Sequence, residues 1–405
     1  MSINNYPLQY RSLALMIMGW SICGVAQNAS SFLFAYYSPT FQLETQHNGY
    51  LMAMMALFAS ASIIISGPLA GRFGQIPVMM AGFLIAALAA LGIGFCNSVI
   101  VLYLLTAVLG FGVSTICAPS LRLLGKHSNP RKRGLFFGVS MASYSLVGSA
   151  GGAILLTKIG ASLFGWKGAY ILVGILLILA VLAFCIFGRN LSFKEALKKN
   201  IEGESIGVLM KYPNIMLCVG MTSFAAIWYF TMSNYGILYL ATVKSMPIVQ
   251  AGIVFAGFGI GSFLGEAFVP ILSDYIGRRR TVMLAGFAGS LSFMAFLFIE
   301  MGNTLLSGSL FVSAVFIAGC LAIVNSVIPS ESVPDHLMSL IISIIPALGQ
   351  LIGSFFAPLA IGYVAGSMGV ASAIVFLAPM PLFIFIGSFY LKETSIFALS
   401  LSRNK

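Results

Sequence analysis

Ten acidic side chains are spread over 405 residues, and one of them, Glu266, lies deep inside a long apolar stretch. A carboxyl held away from water resists ionisation, so its proton can come and go near neutral pH. Reversible protonation of that kind is what coupling to a proton gradient requires. The plain alternative is a hydrogen-bonded structural carboxyl between helices. His47, His127 and His336 all fall in loop stretches, not at that depth. Arg122 is the base that comes closest to lying inside an apolar stretch. Its planar fork of donors suits an anionic substrate, whereas an interfacial arginine snorkelling beside Lys126 needs no ligand. Neutral polar and aromatic residues interrupt other apolar stretches: Gln27 and Asn28, Trp228, Asn234 and Tyr235, then Asn325 and Gln350. Each can hydrogen-bond a substrate or a neighbouring helix.

Enzyme chemistry finds little support. It needs a nucleophile with its base, or metal ligands, gathered at one depth, and Glu266 stands without such company. No Gly-x-x-x-x-Gly-Lys-Ser/Thr loop is present to cradle a nucleotide phosphate. The six cysteines all sit in apolar stretches with no pair at metal or redox spacing, so they read as small buried hydrophobes. No enzyme, metal site or cofactor is expected.

The elements that must position these groups follow from composition. Charged residues make up 8% and hydrophobic ones 59%, with a mean hydropathy of +1.01. A soluble domain uses about 25% charged residues, so this chain's solvent must be lipid. A bilayer core takes about 20 apolar residues per helix. Polar breaks then predict twelve spans near 11–38, 49–71, 76–96, 99–124, 134–157, 168–188, 213–241, 249–273, 281–299, 305–328, 337–364 and 369–391. With a cytoplasmic N-terminus, eighteen of the 21 basic residues fall on the cytoplasmic side, and only Lys158, Lys167 and Lys244 fall opposite. The positive-inside rule therefore places both termini in the cytoplasm. The net charge of +11 is explained by topology and anionic lipid heads, without a nucleic acid.

The longest polar stretch, 189–212, divides the chain into an N-terminal six-helix bundle (1–188), a cytoplasmic linker, and a C-terminal bundle (213–405). A shift of 203 residues superposes Gly49 on Gly252, Leu69 on Leu272 and Gly74 on Gly277. It also brings GPLAGRFGQ (67–75) onto PILSDYIGR (270–278). Both loops follow the second helix of their half, as expected of a transporter built from repeats around a midplane site.

These loops resemble the Gly-x-x-x-Asp-Arg/Lys-x-Gly-Arg/Lys-Arg/Lys motif of the major facilitator superfamily. The second copy keeps Asp274, Gly277, Arg278 and Arg279, with Pro270 at its leading position. The first keeps Gly67, Arg72 and Gly74 but has Gly71 in place of the acid. PRKRGLFFG (130–138) and GWKGAY (165–170) extend the resemblance over essentially the whole chain. Gly110, Gly112 and Pro119 in the fourth helix are similar to organic anion symporter-like members, although Thr106 replaces their usual arginine. The resemblance implies an all-α membrane protein of twelve transmembrane helices in two pseudo-symmetric six-helix bundles. It also implies a cytoplasmic gate at Arg72, Asp274, Gly277, Arg278 and Arg279, with the latch resting mainly on Asp274. Glu266 then becomes the proton-coupling candidate. Gln27, Asn28, Arg122, Trp228, Asn234, Tyr235, Asn325 and Gln350 become substrate-binding candidates.

The expected function is secondary transport of a small polar metabolite, an organic anion among the options, by proton-coupled alternating access. Proton-driven export of drug-like or metabolite compounds is the alternative, as is a transporter-like receptor without flux. The expected setting is a bacterial inner membrane. The expected partners are substrate, protons and the lipid bilayer, with the chain acting as a monomer.

Overall fold

A computed structural model describes residues 6–127, 133–188, 191, 212–300, 302–334, 344–349 and 351–394. Gln350 and the linker 189–212, apart from Leu191 and Tyr212, lie outside the described residues. Among the described residues, ten segments are long and apolar enough to cross a bilayer, judged by length and composition. They are α1 (Tyr6–Phe32), α2 (Gln46–Phe73), α3 (Gln75–Phe95), α4 (Val99–His127), a run Gly138–Phe187, α7 (Pro213–Thr242), α8 (Ile248–Ile276), α9 (Arg278–Phe298), α10 (Asn303–Glu331) and a run Ile344–Val375.

Both runs are broken by a glycine. Gly165, at φ 69° and ψ 172°, separates α5 (138–164) from α6 (166–187). Gly369, at φ 87° and ψ 162°, ends α11 (344–368). The chain then continues as α12, through a turn at 376–378, into Pro379–Ser388. Divided in this way, the described residues hold twelve such segments. The first helix begins at Tyr6, earlier than its apolar stretch predicts, and closes at Phe32, with a short helix Phe34–Phe41 after it. His47 lies in the first turn of α2 and His127 is the last residue of α4, so neither is a loop residue.

The internal repeat is visible in the backbone itself. Gly74 adopts φ 98° and ψ 156°, and Gly277 adopts φ 98° and ψ 147°. That region is open to glycine and closed to residues with a Cβ. The same forbidden turn thus joins α2 to α3 and α8 to α9.

The chain divides into two compact units. One is Met1–Lys198 together with Pro247–Ile253, and the other is Lys199–Met246 together with Val254–Lys405. Helices in lipid gain little from the hydrophobic effect on meeting each other, so close approach relies on small residues and dispersion. In the first unit α1 crosses α5 at Gly24 and Gly148, where a Cβ on Gly148 would fall 2.5 Å from the Gly24 Cα. In the second, α7 crosses α11 at Ala226 and Gly353, where a Cβ on Gly353 would fall 2.6 Å from the Ala226 Cβ. Both crossings lie on π-helical turns, Tyr144–Gly151 and Leu351–Phe356. Such wide turns recur at functional sites. Pro119 withholds the N–H that the Thr115 carbonyl would accept, and α4 breaks into a turn at Thr115 and Ile116. Exposed apolar side chains such as Ile64, Phe95, Ile100 and Phe298 suit contact with lipid tails.

Candidate functional site

Glu266 is positioned by a glycine ladder. Helix α8 carries Gly257, Gly261 and Gly265 four residues apart, hence on one face. A Cβ at these positions would lie 2.6 Å from Ser307 Oγ, 2.3 Å from the Phe311 carbonyl oxygen and 2.2 Å from the Val315 carbonyl oxygen. The backbone of α8 therefore rests directly on the backbone of α10. Glu266 follows the last glycine and is half-buried. Pro270, inside the same helix, has no N–H to offer the Glu266 carbonyl four residues earlier.

Eight residues on, about 12 Å along the helix, the charged network begins. Arg278 is its centre. Its Nη2 lies 2.8 Å from Glu331 Oε1 and 2.5 Å from Asp274 Oδ1, and its Nε lies 3.3 Å from Glu331 Oε2. Nη1 donates to Ser273 Oγ at 2.5 Å and to the Pro270 carbonyl at 3.3 Å. The Arg278 side chain is 9% exposed, against 57% for Asp274 and 30% for Glu331. Burying a guanidinium is costly unless it is paired, and the two carboxylates supply that pairing. Glu393 caps the start of α9, accepting from the Arg278 N–H at 2.8 Å and the Arg279 N–H at 3.2 Å. A carboxylate there meets both the unpaired amides and the positive end of the helix dipole. Thr394 Oγ1 donates to Glu331 Oε2 at 2.6 Å. Asn214, at the start of α7, accepts from the Lys392 N–H at 3.0 Å and donates to the Lys392 carbonyl at 3.2 Å. The ends of α7, α8, α9 and α10 and the segment after α12 are thereby tied together.

Sequence reasoning placed Asp274, Gly277, Arg278 and Arg279 in one loop, and they do form one turn. It missed Glu331, Glu393 and Asn214. In a chain with ten acids, two further carboxylates beside basic helix ends were a usable signal. Within this network Asp274 is the most exposed partner. Arg278 and Glu331 form the more buried part of the network.

The corresponding end of the first unit is built differently. Arg122 Nη1 donates to the Gly67 carbonyl at 3.0 Å. Arg72 is exposed, with its guanidinium 5.3 Å from the Phe73 ring. Arg11 donates to the Phe187 carbonyl at 2.8 Å. These bases meet backbone carbonyls and a ring where Arg278 meets carboxylates.

The polar candidates occupy varied surroundings. Gln27 is half-buried. Asn28 is buried, and its amide donates to the Gly24 carbonyl at 2.9 Å and to Ser149 Oγ at 3.4 Å, which binds α1 to α5 at their crossing. Trp228 is fully buried against Phe258 and Phe293, and its indole N–H has no acceptor among the described residues. Tyr235, two turns further on, is also fully buried, while Asn234 is half-buried. Asn325 lies in a π-helical turn of α10, Ile323–Val327, and its Oδ1 has no donor among the described residues.

Residues 13–345, and again 217–398, match the family model of the Major Facilitator Superfamily. The chain belongs to that superfamily. Among superfamily proteins it is 28% identical over 169 residues to the Multidrug transporter AQR1 of Candida glabrata, covering 40% of this chain and 28% of that protein. It is 36% identical over 121 residues to Monocarboxylate transporter 4 of Mus musculus, covering 28% and 24%. It is 24% identical over 247 residues to the Multi-drug resistance efflux pump PmrA of Streptococcus pneumoniae, covering 59% and 60%. The matched stretches thus span from about a quarter to three fifths of these relatives. Two solved folds superpose on nearly the whole superfamily chain at 15% identity and a TM-score of 0.75. One is a bacterial homolog of the human lysosomal transporter Spinster, covering 95% of this chain and 98% of that one. The other is a mutant form of the nucleoside transporter NupG, covering 94% and 99%. With its long apolar helices, this superfamily chain is a multi-pass membrane protein.

Proposed function

We propose that this transporter moves a small organic anion by alternating access, coupled to protons through Glu266. The observation that carries the coupling role is the seating of that carboxyl. It is the acid set deepest in a spanning helix, half-buried beside a backbone-on-backbone contact. The likeness to monocarboxylate transporters supports the anion, and the scarcity of charged residues within the spans favours a substrate of low charge. The basic ends of both units face the cytoplasm in this reading, following the positive-inside rule. The Arg278 network then acts as a cytoplasmic latch of the C-terminal bundle (213–405), and the N-terminal bundle (1–188) lacks a carboxylate counterpart.

The test is uptake of labelled L-lactate and pyruvate into proteoliposomes, with and without an inward proton gradient. Accumulation that follows the gradient, and that Glu266→Gln abolishes while exchange at equal pH persists, is the expected result. Undiminished accumulation in Glu266→Gln would remove the coupling role. A second reading, proton-driven export of drug-like compounds, draws on the likeness to AQR1 and PmrA. It predicts extrusion of such compounds from cells and silence in the carboxylate assay.

A further inference from the structure

The two repeats fill one structural position with arginines from different places. In the second unit, the carbonyl of residue 270 accepts from Arg278, which lies in the loop just beyond it. Shifting by 203 residues leads to residue 67, and its carbonyl also accepts from an arginine. That arginine is Arg122, which reaches it from α4. In the loop itself, Gln75 stands where the shift places Arg278. A Cβ on Gly67 would lie 3.7 Å from Ala118 Cβ and 3.9 Å from Arg122 Nη2, so α2 and α4 are close at this point.

Their neutralisation differs. Arg278 has Asp274 and Glu331. At the position equivalent to Asp274 the first unit has Gly71, and among the described residues of that unit Glu44 is the single acid, Glu195 lying outside them. Glu44 precedes α2, which starts at Gln46 and reaches Gly67 21 residues later. It is therefore about 30 Å away along that helix. Arg122 is half-buried and turned toward a backbone carbonyl. Among the described residues this carbonyl satisfies one of its five donors and none of its charge. A snorkelling arginine would carry its head to the water, as exposed Arg72 does.

We infer that the Arg122 guanidinium, between α2 and α4, is an oxyanion site of the first unit, holding a carboxylate or a phosphate where the second unit holds its own carboxylates. The planar fork leaves a bidentate edge for such a group. The oxyanion comes either from a free anion, the substrate included, or from the headgroup of an anionic lipid. This site is separate from the coupling role of Glu266.

Binding to the purified full chain, with Glu266 intact and no gradient, tests it. One arm measures thermal stabilisation in detergent by L-lactate and by inorganic phosphate. The other measures retention of phosphatidylglycerol against phosphatidylcholine by native mass spectrometry. Arg122→Gln removes the charge. Gly71→Asp places a carboxylate one turn beyond Gly67 on the same face, to occupy the fork from within. Arg72→Gln removes an exposed charge at the same end of the unit. The expected result is a roughly ten-fold weaker affinity in one arm for both Arg122→Gln and Gly71→Asp, with a change under about two-fold for Arg72→Gln. The responding arm identifies the source of the oxyanion. Equal binding by all four proteins overturns the inference. So does an equal loss in Arg72→Gln, which would reduce the effect to general surface charge. If Arg122→Gln fails to fold, Gly71→Asp decides the outcome. A null result here beside intact gradient-driven uptake removes the oxyanion site and leaves the transport reading in place.

Discussion

Replacing Gly261 by alanine tests the positioning of Glu266. The new methyl would sit 2.3 Å from the Phe311 carbonyl oxygen and 3.0 Å from its carbonyl carbon and Cα. Ordinary contact begins near 3.4 Å. The obstacle is backbone on both sides, so no side chain can rotate away, and α8 must separate from α10 by about 1 Å. Overpacking of this kind costs about 1–3 kcal/mol. A control lies on the partner helix, because nothing stands within 4 Å of a Cβ at Gly308. Gly308→Ala should be neutral or stabilise by about 0.5–1 kcal/mol, through the unfolded chain's lost freedom. A thiol-reactive dye can follow thermal unfolding, since Cys218 and Cys320 are buried in the same unit and become accessible as it opens. Gly261→Ala should melt several degrees below wild type, with Gly308→Ala at or above it. If Gly261→Ala melts with wild type, the two backbones are not in contact and the account of how Glu266 is held is wrong.

Two further substitutions probe the charged turn. Gly277→Ala forces a Cβ into a backbone region it cannot enter, at about 1–3 kcal/mol, and the same loss is expected at Gly74; stability matching wild type at both would refute the shared turn. A double-mutant cycle with Arg278→Gln and Glu331→Gln should give a coupling of about 1 kcal/mol, kept small because the Glu331 side chain is 30% exposed. Additive losses would show that the pair does not act as a pair.

Several features of the site were legible in the chain alone. Glu266 stood out because an acid in an apolar stretch is costly wherever that stretch folds. The repeated turn was readable from Gly74 and Gly277, since one backbone conformation demands glycine twice at the same spacing. The exposure of Asp274 was not legible in this way. The motif names which residues share a loop, but says nothing of which one faces water. Asn28 read as a ligand or an interhelical bond, and the Gly24–Gly148 crossing that gives it Ser149 as a partner is a fact of packing.

What the sequence determined by itself is the set of spans, the repeat and the superfamily. Transfer of a segment into lipid sums free energies residue by residue along the chain, and a forbidden φ is a property of one residue, so both are local. What only the tertiary structure decided is who meets whom. Arg278 finds Glu331 at 53 residues' distance and Glu393 at 115. Gly261 finds the Phe311 carbonyl, and Arg122 finds the carbonyl of Gly67. Each pairing depends on the rotation and depth of two helices at once. In a chain where nearly every face is apolar, hydropathy sets how far a helix crosses but leaves its rotation open. Close packing of small residues then fixes that rotation, and with it the partners of every charged group.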